Sequence, residues 1–426
     1  MEPRIRALCD FLDASHSVYH AAAYLENLLR QHGYTRIPEG ESWQLAPGGK
    51  YYLTRGGSAV IAFRIPEGAP KGFMMSASHL DRPTFKLKEN GEVSAAYTRL
   101  LVERYGGMLM APWLDRPLSL AGRVLVETEE GVESKLLDID RDLLMIPNVA
   151  IHMNRAANDG YKWNPAVDLL PLLGGKDAGG KLDELLREQA GGKILGHDLY
   201  LYVRQKAAVW GIEEEFLSSA ALDDLECAWG CTQGFLNAAP GEAIPVLCAF
   251  DSEEVGSSSL QGAASNLLEG ALERICAARN LSYHQMLAGS FMVSADNAHA
   301  LHPNHPELAD SANAPVLNGG VVLKFNANQR YTTDGLSAAV FRKVCAKAGV
   351  PVQTYCNRAD IPGGSTLGNI SLGHVSVPSV DIGLPQLAMH SCYETAGVKD
   401  AVFLEDAMTA YYSSSLEQDG NICKLK

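Results

Sequence analysis

The run Pro245-Val-Leu-Cys-Ala-Phe250 stops at Asp251-Ser-Glu253-Glu254-Val-Gly256. A short apolar run that ends at charged residues and a glycine reads as a buried strand reaching a turn. Along a strand, neighbouring side chains point to opposite sides. At its end the chain turns, and two adjacent carboxylates can be aimed into one site with different tasks. One could hold a metal while the other moves protons. Taken alone, a Glu-Glu pair of this kind is a solvated turn, so its meaning depends on what the rest of the chain brings to it.

The flanking sequence alternates in the same way. Residues 1–35 carry apolar clusters at helical spacing, and KYYLTR, SAVIAFRI and GFMMSASHL follow as strands. From 219 onward, apolar runs ending in polar loops alternate with helical stretches at 259–279, 334–348 and 400–416. This pattern predicts a mixed, largely parallel α/β sheet flanked by helices, formed from 1–88 and 219–426. Residues 89–218 differ in texture. They hold short β-like runs around one Gly- and Lys-rich stretch and are expected to form an inserted, mostly β domain. With 426 residues the chain is long enough for both cores.

In such a sheet, ligands sit beyond the carboxyl ends of the strands. Polar residues just past apolar runs are His79 and Asp81, Asp223 and Asp224, Glu253 and Glu254, Asp296, and His390. Imidazole and carboxylate together suit zinc or a related divalent ion. Two ions held about 3.5–4 Å apart need a bridging carboxylate, and a further carboxylate must accept the proton of the attacking water. Asp81, two residues after His79, is placed to orient that imidazole. Asp224 reads as solvated or capping, and His302 and His305 as structural or pocket-lining.

Composition narrows the partners. A net charge of −14 argues against nucleic acid or an anionic membrane. Nine scattered cysteines without a CxxC read as reduced thiols, and neither a signal peptide nor an 18-residue apolar span is present, so a cytoplasmic protein is expected.

The runs Ser76-Ala-Ser-His79-Leu-Asp81-Arg-Pro, Leu222-Asp223, Phe250-Asp-Ser-Glu253-Glu254-Val-Gly256-Ser and Ser294-Ala-Asp296-Asn-Ala-His299 resemble the M18 family of metalloaminopeptidases, as do Lys324-Phe-Asn-Ala-Asn-Gln-Arg-Tyr331 and Gln386-Leu-Ala-Met-His390-Ser. The resemblance covers nearly the whole chain. It implies an aminopeptidase with two divalent ions per subunit, zinc foremost and cobalt or manganese as alternatives. Asp223 would bridge them, with His79 and Asp296 completing one ion and Glu254 and His390 the other. Glu253 would be the general base and Asp81 the partner of His79. His152, in the inserted dimerisation domain, would reach the active site of a neighbouring subunit and stabilise the oxyanion. Lys324, His299 and Tyr331 would line the substrate pocket, where the lysine and histidine would favour an acidic N-terminal residue. The resemblance also implies a homo-oligomer, at least a dimer and in the family a tetrahedral dodecamer. Pro362 and Asn369, in a loop resembling the family's glycine/serine/threonine substrate loop, differ from aspartyl-specific members. Broader or neutral specificity is therefore an alternative. Two further alternatives are a related dinuclear carboxypeptidase or deacylase and a non-catalytic protein that kept the fold.

Overall fold

The computed structural model describes residues 2–361, 363–364, 366–419 and 422–426. A nine-stranded mixed sheet forms its centre. Its strands run in the order Thr35–Arg36, Lys50–Arg55, Ala59–Arg64, Ile244–Phe250, Phe73–His79, Phe291–Ala295, Ser379–Gly383, Val321–Phe325, Val352–Cys356. Four central strands, from Ile244–Phe250 to Ser379–Gly383, run parallel. All four are buried along their whole length, which is why they read as continuous apolar runs without alternation.

Helices cover both faces. Pro3–Ala14, Val18–Gln31, Leu222–Asn237, Gly335–Ala348 and Val398–Tyr412 share one apolar core with the sheet, and Leu267–Ala278 with Tyr283–Ala288 shares the other. Gly335–Ala348 begins where expected because Asp334 and Ser337 form a reciprocal capping box. The helix expected over 259–279 starts only at Leu267. Before it, the chain turns back on itself, with the Ala264 N–H donating to the Ser257 carbonyl. Serines and glycines there offer turn bonds that compete with a helix. The last residues pair as a short hairpin, Leu416–Asp419 with Ile422–Leu425, which the sequence pattern did not predict.

A second sheet is six-stranded and antiparallel: Gly131–Asp138, Leu118–Thr128, Ile194–Val203, Thr84–Ser94, Tyr97–Tyr105, Leu172–Gly175. With the helix Lys181–Ala190 it encloses a separate core around Phe85, Leu120 and Leu201. Its first strand begins at Thr84, directly after the His79–Asp81 loop, so residue 88 lies inside a strand. Among the described residues, no helix is long and apolar enough to cross a membrane.

Register decides what meets at the sheet edge. His79 pairs with Phe250, so the carboxylates after Phe250 emerge beside the imidazole. Ala295 pairs with Ile382, and a Cβ on Gly383 would collide with the Asp296 carbonyl. Only glycine lets the Asp296 backbone approach this closely.

Candidate metal centre

The carboxyl ends of the parallel strands open into a cavity of about 320 Å³, lined among others by His79, Asp223, Glu253, Asp296, His299, Lys324, Tyr331 and His390. His79, Asp223 and Asp296 offer ligand atoms within 4.8 Å of one another, and so do Asp223, Glu254 and His390. Asp223 belongs to both sets. Its Oδ1 lies 3.7 Å from His79 Nε2 and its Oδ2 lies 3.3 Å from His390 Nε2, while Glu254 Oε1 lies 3.4 Å from the same His390 nitrogen. His79, Glu253 and Glu254 form a third converging set, so both neighbouring glutamates reach the centre.

Backbone geometry at these loops is unusual. Ala221, Ser252 and His390 are non-glycine residues at φ of 58°, 66° and 66°. Such left-handed positions cost energy and cluster at functional sites. Asp223 and Asp224 are joined by a cis peptide bond, and both depart from helical geometry at the start of Leu222–Asn237.

Asp81 does more than face His79. The His79 Nδ1 is 3.1 Å from the Asp81 backbone carbonyl and 3.4 Å from its carboxylate. That carboxylate also accepts the backbone N–H groups of Glu253 (3.1 Å) and Glu254 (3.2 Å), and the Tyr105 hydroxyl donates to it at 2.7 Å. It therefore ties the His79 loop to the glutamate turn. Tyr105 comes from the six-stranded sheet, and no sequence signal marked it.

Asp224 is neither solvated nor a cap. It is fully buried, and its Oδ2 accepts the His79 N–H at 3.1 Å. Adjacency to Asp223 suggested a charged surface turn, but the turn lies beneath the strand end. His302 and His305 are exposed and do not line the cavity.

Electrostatically, the centre lacks positive charge. Asp223 Oδ1, Asp224 Oδ1 and Glu254 Oε1 are buried without hydrogen-bond partners. Burial, with Asp296, Asp81 and Asp223 outweighing His79, pushes Glu253 up to about 8. Burial and Asp223 lift Glu254 well above the carboxylate range. Burial alone would depress His79, but the Asp81 hydrogen bond and the Asp224 charge raise it well above the usual imidazole value. Unpartnered carboxylate oxygens beside two imidazoles fit divalent cations with mixed nitrogen and oxygen ligands, zinc among them.

Lys324, Tyr331 and His299 line the same cavity. Lys324 is 2% exposed, and its ammonium donates to the backbone carbonyls of Asp296 (2.7 Å) and Asn297 (3.2 Å) and lies 3.4 Å from Asp296 Oδ1. Its Nζ is 5.2 Å from the centre of the Tyr331 ring. Tyr331 is buried, whereas His299 is exposed. Thr332 and Thr366, from two segments bordering the cavity, are both hydrogen-bonded to the buried Asp381. Pro362 and Ser365 of the expected substrate loop lie outside the described residues. His152 sits on an exposed turn and does not line this cavity of its own chain.

Residues 11–412 match the family model for aminopeptidase I zinc metalloproteases (M18). A probable M18 family aminopeptidase 2 from Clostridium acetobutylicum is 42% identical over 424 residues, covering 96% of this chain and 98% of that protein. One of the same description from Pseudomonas aeruginosa is 41% identical over 422 residues, again covering 96% and 98%. Among solved structures, the cryo-EM structure of the Ape4 and Nbr1 complex superposes with a TM-score of 0.93 at 36% identity, covering 96% of this chain and 85% of that one. The S. cerevisiae mApe1 dodecamer gives 0.85 at 26% identity, with 96% of both chains covered.

Proposed function

The chain belongs to the M18 family of aminopeptidases, which are zinc metalloproteases, and from that premise we propose that it removes the N-terminal residue of peptides at a dinuclear centre, with Glu253 as general base. What carries the two-ion reading is the division of Asp223, whose two oxygens face His79 on one side and His390 on the other. In this reading His79, Asp223 and Asp296 hold one ion and Asp223, Glu254 and His390 the other. The ions would supply Lewis-acid polarisation of the scissile carbonyl and lower the pKa of the attacking water.

The rest falls to the side chains. Glu253 takes the proton of the attacking water and delivers it to the departing amine. Its neighbour Glu254 is a ligand, and Asp81 holds both through their backbone N–H groups. His152 serves the site of a second copy, donating to the developing oxyanion. Its exposed position on its own subunit supports this, as do the half-exposed Ile151 and largely exposed Met153 beside it. The segment 89–218 is then the self-association domain. A homo-oligomer follows, and the dodecameric S. cerevisiae relative favours twelve copies.

For specificity, Lys324 favours an acidic first residue, with His299 and Tyr331 beside it. A buried ammonium is an expensive group to keep without an anionic partner. A second reading, broader or neutral specificity, is favoured by the same contacts. The Lys324 ammonium already has Asp296 and two carbonyls as partners. Rates on Asp, Glu, Leu and Lys p-nitroanilides with zinc-loaded protein separate these readings. Acidic preference predicts Asp and Glu well ahead of Leu, and equal rates would sink it.

A further inference from the structure

Two of the proposed ligands come from segments far apart in the chain, and one buried side chain joins them. Glu394 opens the strand Glu394–Gly397 and is 1% exposed. Its backbone pairs with Ser219, the last residue of Phe216–Ser219. One carboxylate oxygen accepts the N–H of Asp223 at 3.1 Å, and the other accepts the N–H of His390 at 2.7 Å.

Neither of these amides belongs to regular structure. Asp223 has φ −83° and ψ 109° inside the first turn of its helix, and His390 is left-handed at φ 66°. A helix start leaves N–H groups without intrahelical partners, and a buried N–H left unpaired is destabilising. Glu394 satisfies both at once. It thereby bonds to the backbone of both residues whose carboxylate and imidazole face each other at 3.3 Å. No other side chain among the described residues is hydrogen-bonded to the backbone N–H of either residue.

We propose that Glu394 is a positioning residue that sets where Asp223 and His390 meet, so that the subsite of Asp223, Glu254 and His390 depends on it more than the subsite of His79, Asp223 and Asp296. Glu394 does not line the cavity. The inference rests on the two-ion reading above. Asp81 makes the comparison useful, since it plays the same part for the amides of Glu253 and Glu254 and is left intact by the test.

Glu394→Gln keeps the size but leaves one acceptor for two N–H groups. The metal-free full chain is titrated with zinc alone by equilibrium dialysis. A parallel sample is titrated with cobalt while its visible spectrum is recorded, and circular dichroism checks the fold. Relative to wild type, one zinc affinity is expected to fall about 10–100-fold, as is usual when a partner of a ligand is removed. The other should change less, and the cobalt bands of the weakened subsite should shift. A role confined to stability would lower the melting temperature and leave the affinities and spectrum of the folded protein unchanged. That result, or equal weakening of both subsites, overturns the proposal. If Glu394→Gln does not fold, Glu394→Asp keeps the charge, shortens the reach by one methylene and carries the same expectation. A wild type that binds a single ion would sink the two-ion reading, and the positioning role would then stand or fall on that ion's affinity in the variants.

Discussion

The two walls of the cavity differ in how their charges are satisfied. On the metal wall, buried carboxylate oxygens of Asp223 and Glu254 have no hydrogen-bond partner. On the side of Lys324, the ammonium has two carbonyls and a carboxylate around it. One wall is short of positive charge, and the other is already complete. Asp296 belongs to both, as a candidate ligand and as the counter-ion of Lys324. Asp296 thus links the proposed ligand set to the proposed recognition residue.

Removing the cation from the deficient wall should have the largest effect. Chelation is expected to abolish peptidase activity and added zinc to restore it. Zinc at 1,000 times its Kd should also stabilise the folded chain by about 4 kcal/mol, read as a rise in melting temperature. A chelated protein with full activity would break the contrast between the walls. Next, Glu253→Gln should lower kcat by about 10²–10⁴-fold while zinc content stays at the wild-type value. Loss of zinc along with activity would instead make Glu253 a ligand, which the third converging set leaves room for.

On the complete wall, Lys324→Met should reduce the rate ratio of Asp over Leu substrates by about 30-fold or more, from about 2 kcal/mol or more for a truncated buried charge partner. An unchanged ratio would detach Lys324 from recognition. The smallest effect is a proton count. In the metal-free chain Glu253 is pushed up to about 8, chiefly by burial and then by Asp296 and other carboxylates against His79, so it is mostly protonated at pH 7. A nearby dication reverses that balance and expels the proton. Zinc binding at pH 7 should release protons from Glu253 together with Glu254 and His79, which the metal-free centre also holds above their ordinary values, and the Glu253 share should decline as pH rises past 8. Calorimetric titration in buffers of different ionisation enthalpy measures it, and buffer-independent heats would contradict it.

Much of the centre was legible because chemistry and strand ends coincide. His79, Asp223, Glu254, Asp296 and His390 each follow an apolar run, which marks them in the sequence alone. The structure brings all five into two converging sets. Helix bounds were less legible, as the late start at Leu267 shows, because local turn bonds compete there with a helical pattern. Asp224 and Glu394 were not legible at all. Asp224 looked like a charged neighbour and proves to be a buried acceptor of the His79 N–H. Glu394 stands in Cys392-Tyr-Glu-Thr395, a stretch with no apolar run before it, and its partners are backbone amides.

The sequence by itself determined the layered α/β architecture, since fully buried strands must read as unbroken apolar runs, and it determined which side chains could hold a metal. Tertiary structure alone decided how those groups are shared. That Phe73–His79 lies between Ile244–Phe250 and Phe291–Ala295 is a matter of crossovers, which leave no local mark in the chain. That order sets His79 between the strand ends that lead to Glu253 and Glu254 on one side and to Asp296 on the other. Hydrogen bonds to backbone N–H groups carry no residue signature on the donor side, so the clamps made by Asp81 and Glu394 could be found only where the chain segments meet.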